Sequence, residues 1–166
     1  MRMLLAILLF ASLGAVQAQG QSQDQYQDIR PFQPGSLDDI RAARSDRAFL
    51  LGFWSLDCAY CPEEMAMLAD IAQQHPELDI VLVATDSPQD SAQVAARLKD
   101  LGLSATEAWL FGDAAPERLR FEIDRRWYGE LPRTYLFDAA HNATAKSGML
   151  ERAALEQWIE DHVQRN

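Results

Sequence analysis

Cys58 and Cys61 are the only cysteines in this 166-residue chain, and two residues separate them. A pair at that spacing closes a disulfide across one helical turn; opened, it offers an attacking sulfur with a resolving partner beside it. Attack requires a thiolate, which the unpaired N–H groups and the dipole of a helix N-terminus favour. The flanking residues predict such a junction. Residues 48–54 form a short, continuous apolar run, as in a strand buried on both faces. Met65, Leu68, Ile71 and Ala72 then recur at helical spacing until Pro76 closes the segment. Cys58, nearer the helix start and more exposed, is the expected attacking thiolate; Cys61 is the resolving thiol. An inert disulfide staple and half of a metal site are the competing readings. Zinc wants four ligands, and beyond these cysteines there are only His75, His141 and His162. Redox exchange is therefore preferred, with no metal and no cofactor expected.

The N-terminus points to an oxidising compartment. Met1-Arg2-Met3 is a weakly basic start, and residues 4–15 are apolar but short for a bilayer span. Val16-Gln17-Ala18 places small residues where a signal peptidase reads, so residues 1–18 are expected to be a signal peptide cleaved after Ala18. The alternative is an uncleaved membrane anchor; a lipid anchor would need a cysteine there. Residues 19–30 read as a flexible, Gln-rich leader and residues 31–166 as one domain. The net charge is −10, or −11 once Arg2 is lost (14 basic against 25 acidic residues). With no basic cluster, such a chain repels nucleic acid and anionic lipid.

The elements follow from period and punctuation. Ser36 with Asp39 reads as a capping box opening a short helix to about Arg44. Residues 79–84 form a second buried strand. Ser87-Pro88-Gln89-Asp90 starts a helix with a capping box, lined by Val94, Leu98 and Leu101 and ended by Gly102. Residues 108–111 read as a strand, 116–123 as a helix, 134–138 as a strand with 144–147 as its hairpin partner, and the chain closes with a helix from Glu151. The alternation predicts a three-layer α/β sandwich with a mixed sheet. Met65 and Met67 face different ways and read as packing; Trp109, Trp127 and Trp158 read as core or rim. Trp127-Tyr128 is also a candidate groove lining, and the sequon Asn142-Ala143-Thr144 reads as chance in a turn.

Phe53-Trp54, Cys58-x-x-Cys61 and Glu64-Met65 resemble the active-site segment of the exported thioredoxin-like TlpA/ResA family of disulfide reductases. Gly129-Glu130-Leu131-Pro132 running into Thr134-Tyr135-Leu136-Phe137-Asp138 is similar to that family's proline loop and strand, and residues 87–111 sit where the family extends the thioredoxin fold by a βα unit. The resemblance covers residues 37–163. It implies that Pro132 is a cis-proline facing the disulfide, and that Glu64 is a buried acid one helical turn from the thiols that relays the proton Cys61 must lose. Trp54, Asp57, Tyr60, Leu131 and Arg133, which flank these motifs, are the substrate-groove candidates. Three residues depart from the family. Asp57 stands where tryptophan is usual, Pro62 where a basic residue is common, and Gly52 where thioredoxins keep a buried aspartate. Asp57 reads equally as a helix cap and as a charge opposing the Cys58 thiolate, which would push the potential towards a reductant.

These readings converge on an exported, monomeric thiol–disulfide oxidoreductase that reduces protein disulfides. Its implied partners are disulfide-containing exported clients and a membrane thiol-electron carrier as reductant, with no nucleic acid. The alternatives are a disulfide-forming oxidase and a redox-inactive, client-binding module of the same fold.

Overall fold

The computed structural model describes residues 28–164. The expected signal peptide and most of the expected leader lie outside the described residues. At the centre of the sheet is β2 (Phe49–Trp54), buried along its whole length. It pairs in parallel with β3 (Asp79–Ala84) and antiparallel with β5 (Arg133–Phe137). Beyond β3 come β4 (Glu107–Phe111) and β1 (Ile29–Phe32), both parallel; beyond β5 comes the exposed edge strand β6 (Ala143–Ser147). The order is β1-β4-β3-β2-β5-β6, a mixed sheet as the sequence predicts.

Alternation along β2 divides the interior in two. Leu50 and Trp54 point into an aliphatic core under α2 (Cys61–Gln74), α3 (Ser91–Asp100) and α5 (Arg152–His162), with Leu68, Ile71, Val94, Leu98, Leu155 and Ile159. Phe49, Leu51 and Phe53 point into an aromatic core under α1 (Ser36–Ala42) and α4 (Pro116–Ile123). There the Phe49 and Phe137 rings stack at 4.6 Å and Phe53 meets Trp127 at 4.8 Å. Helices thus cover both faces of the sheet, giving the expected three layers.

Three local expectations are corrected. Strand β1 takes Ile29 and Arg30 out of the expected leader, and Pro31 lies within it; an edge strand tolerates a proline that a central one would not. Ser36 forms no capping box: Gly35, with φ 91°, caps α1, and the Ser36 hydroxyl accepts from Gln33 N at 2.9 Å. Ser87 does accept from Gln89 N, but the turn it opens at Pro88–Asp90 is 3-10, and α3 begins only at Ser91. Gly102, at φ 74°, ends α3 as expected, with Leu103 N donating to Leu98 O across it.

At the sheet end remote from the cysteines, the buried Arg44 guanidinium donates to Asp79 at 2.9 Å, to Glu107 at 2.8 Å and to the Ile40 carbonyl at 3.2 Å. Burial alone would raise the Glu107 carboxyl. Hydrogen bonds from Arg44 and Trp109, with the charges of Arg44 and Arg30, outweigh it and hold the group below its ordinary 4.5. A carboxylate held low in the fold stabilises it above its unfolded value and loses that contribution as pH falls through the folded value. Glu107→Gln should therefore cost about 1–2 kcal/mol at pH 7. The gap to the parent should close as pH drops below about 4.5. Denaturant melts at pH 7 and pH 4 measure both.

Candidate active site

The two sulfurs stand where β2 ends. After Trp54 the chain turns through Ser55, Leu56 and Asp57, and Cys58 N donates to Ser55 O at 3.3 Å to close that turn. Cys58 and Cys61 are joined as a disulfide with Cα atoms 5.4 Å apart. Helix α2 starts at Cys61, capped by Tyr60, so Cys58 lies just before the helix. The junction still acts on it: the Cys61 backbone N–H, at the start of the helix, donates to Cys58 Sγ at 3.1 Å. Cys58 is partly exposed, whereas Cys61 is fully buried among Trp54, Met65 and Leu68. Pro62 occupies a first-turn position whose N–H has no partner in the helix, so it costs α2 no hydrogen bond.

Glu64 is buried one turn further along α2. One carboxyl oxygen accepts from Thr134 Oγ1 at 2.6 Å and the other from Leu150 N at 2.8 Å. It thereby links α2 to β5 and to the segment leading into α5. Thr134 pairs with Gly52 across the sheet, on the same face as α2. At Gly52 a Cβ would stand 3.2 Å from Leu82 Cδ2, so leucines fill the space there and the buried acid comes from the helix.

The Leu131–Pro132 peptide bond is cis. Arg133 lies opposite Phe53, which brings the proline loop alongside the end of β2 from which the cysteine turn departs. The groove candidates divide. Tyr60 is 64% exposed, and Asp57 is exposed beside Cys58. Leu131 is partly buried against both cores. Trp54 is buried beneath the disulfide with its Nε1 unpartnered. Arg133 points to the aromatic face, where it bonds Asp124 at 2.9 Å and Ser147 Oγ at 2.8 Å over the Tyr135 ring. The structure therefore does not bring Arg133 to the cysteines. Asp57 caps no helix, since Tyr60 holds that position. Trp127 packs in the core and donates to Glu130 O, while Tyr128 is 83% exposed.

One residue at the site went unnoticed in the sequence. Asp86, two residues after β3, accepts the Leu56 N–H on both carboxyl oxygens, at 3.0 and 3.2 Å. The signal was available: a carboxyl just past a buried parallel strand sits at the sheet edge where α/β proteins place their sites.

No protein-family model and no curated protein matches this sequence. Solved structures do match. Mycobacterium tuberculosis DsbF, determined in mixed oxidised and reduced forms, is similar at 17% identity and a TM-score of 0.58, over 82% of this chain and 96% of that one. A secreted M. tuberculosis disulfide oxidoreductase homologous to E. coli DsbE matches at 18% identity and 0.56, over 72% and 85%. A DsbF homologue from Corynebacterium diphtheriae matches at 20% and 0.58, over 72% and 74%. The fold is thioredoxin-like. Helix α3 and strand β4 fall within residues 87–111, where the sequence resemblance implies an added βα unit.

The site makes two predictions about stability. Thr134→Val removes a buried donor to Glu64 and should cost about 1–3 kcal/mol. Asp57→Asn, exposed and capping nothing, should stay within about 0.5 kcal/mol of the parent. Urea midpoints of the oxidised proteins check both.

Proposed function

We propose that this protein is an exported, monomeric thiol–disulfide oxidoreductase that reduces disulfides in exported client proteins. The observation that carries the proposal is the asymmetry of the pair: an accessible Cys58 receiving a helix N-terminal N–H, and a Cys61 sealed beneath it. In the reduced protein the Cys58 thiolate attacks one sulfur of a client disulfide, forming a mixed disulfide and releasing the client's other sulfur as thiolate. Cys61 then loses its proton and attacks Cys58 Sγ. The second client sulfur departs, and the two electrons that reduced the client leave the Cys58–Cys61 pair oxidised. Glu64, on the same helix one turn on, is assigned the Cys61 proton. Tyr60, Asp57 and Leu131, with the backbone about Pro132, supply the client groove. A membrane thiol-electron carrier is proposed to recharge the disulfide, and the apolar residues 4–15 direct export.

Cys58→Ser should abolish insulin reduction, while Cys61→Ser should accumulate mixed disulfides visible on non-reducing gels. Equal trapping by Cys58→Ser would reverse the assignment of the nucleophile. A parent protein that never turns over insulin with dithiothreitol would identify a client-binding module instead. A reduction potential below about −220 mV marks the reductase, and one near about −120 mV an oxidase. Glu64→Gln should slow resolution by Cys61 about tenfold or more. Stopped-flow decay of the mixed disulfide reads that step.

A further inference from the structure

The turn that presents Cys58 is tied to the end of β3 by side chains from two successive residues. Thr85 N and Oγ1 both donate to the Trp54 carbonyl, at 2.8 and 3.3 Å, where β2 ends. Asp86 then takes the Leu56 N–H on both oxygens, two residues before Cys58. Leu56 and Cys58 both pack against the aliphatic core, partly buried. Asp86 itself is half-buried.

We propose that Asp86 is a positioning residue for disulfide exchange whose negative charge, held at the base of the Cys58 turn, limits how much Cys58 exists as thiolate and so favours the disulfide. The inference rests on the functional reading above, because it concerns the reactivity of Cys58. A fixed anion near a thiol opposes its ionisation, and the effect grows where water is partly excluded. The charges that act on Asp86 are themselves acidic: Asp90 from the 3-10 turn and Asp57 from the cysteine turn. Burial first, and then these two neighbours, raise the Asp86 carboxyl above its ordinary value, and the Leu56 N–H works against them. Cys58 directly follows Asp57 in the chain and lies two residues beyond the N–H that Asp86 holds. Reduction by glutathione consumes two glutathione thiols, yields oxidised glutathione and leaves Cys58 and Cys61 as thiols. Where Cys58 ionises, one proton is released, and only that ionised form feels Asp86.

The test uses full-length protein carrying Asp86→Asn, which keeps an oxygen for Leu56 N–H but removes the charge, and Asp86→Ala, which removes both. Thiolate absorbance of dithiothreitol-reduced protein is titrated, and glutathione equilibria are read at a pH above the Cys58 transition. Both variants should raise the thiolate fraction about two- to tenfold at a fixed pH below that transition. Both should also move the glutathione equilibrium towards the dithiol by a similar factor, and Asp86→Glu should restore the parent values. A parent-like titration and equilibrium for Asp86→Asn overturns the proposal, even if Asp86→Ala shifts, because the effect would then come from losing the anchor. Failure of the functional reading looks different: the parent would not exchange with glutathione or insulin, yet the thiolate titration would still report on Asp86.

Discussion

Because β2 sends side chains into an aromatic core on one face and an aliphatic core on the other, it cannot tilt or slide without opening a cavity on at least one side. Its C-terminal end is consequently a fixed point, and the parts of the candidate site are attached to it. The cysteine turn grows directly from Trp54. Thr85 is bonded to the Trp54 carbonyl, which carries Asp86 to the base of that turn. The proline loop arrives through the Phe53–Arg133 pairing. Disulfide exchange needs three sulfurs close to a line, so a rigid frame under one of them removes much of the orientational cost.

Charge is handled differently at the two ends of the sheet. At the end remote from the cysteines, Arg44 bonds two carboxylates and a carbonyl, so a buried cation is compensated by groups from β3, β4 and α1. Such a cluster joins elements, and removing one member strands the others. At the cysteine end, the charges of Asp90 and Asp57 act on Asp86, carboxylate on carboxylate. Glu64 is held there by a hydroxyl and a backbone N–H, both uncharged. The first cluster joins elements through opposite charges, whereas the second brings like charges together.

What could be read from the sequence was whatever depends on local period and punctuation. The apolar run of β2, the helical spacing after Cys61 and the Pro116–Ile123 helix came through because their burial is one-sided or complete along the element. The proline loop was legible by resemblance alone. Strand β1 was not legible: four residues with a proline and an arginine carry no strand pattern, and only pairing with β4 makes them one. Asp86 escaped for a related reason, since its partner Leu56 is thirty residues away in the chain. The Ser36 box matched a pattern but not a conformation, because Gly35 offers the left-handed cap that a serine rarely adopts. Its position next to Pro132 puts Arg133 near the groove in the sequence, yet strand alternation turns it to the opposite face.

Asp57 and Pro62, two of the residues that depart from the TlpA/ResA pattern, flank the cysteine pair, and Asp86 is tied to the same turn. A first-turn basic residue would add positive charge near Cys58, and Pro62 adds none; it also withholds an N–H from the helix N-terminus, where Cys61 N–H donates to the sulfur. Asp57 adds an exposed carboxyl next to Cys58 in the chain, and Asp86 adds a half-buried one that accepts the Leu56 N–H. A negative charge near the sulfur would disfavour the Cys58 thiolate and leave the neutral disulfide untouched. Since the dithiol is the form that contains the thiolate, the oxidised state would then gain relative to the reduced one. A dithiol less stable than its disulfide gives its electrons away more readily. The same charges reduce the fraction of attacking thiolate, but a thiolate that forms at higher pH is also intrinsically more nucleophilic, so the rate falls less than the ionised fraction does. Under the function proposed above, such charges would favour donating electrons to client disulfides, at a modest cost in speed.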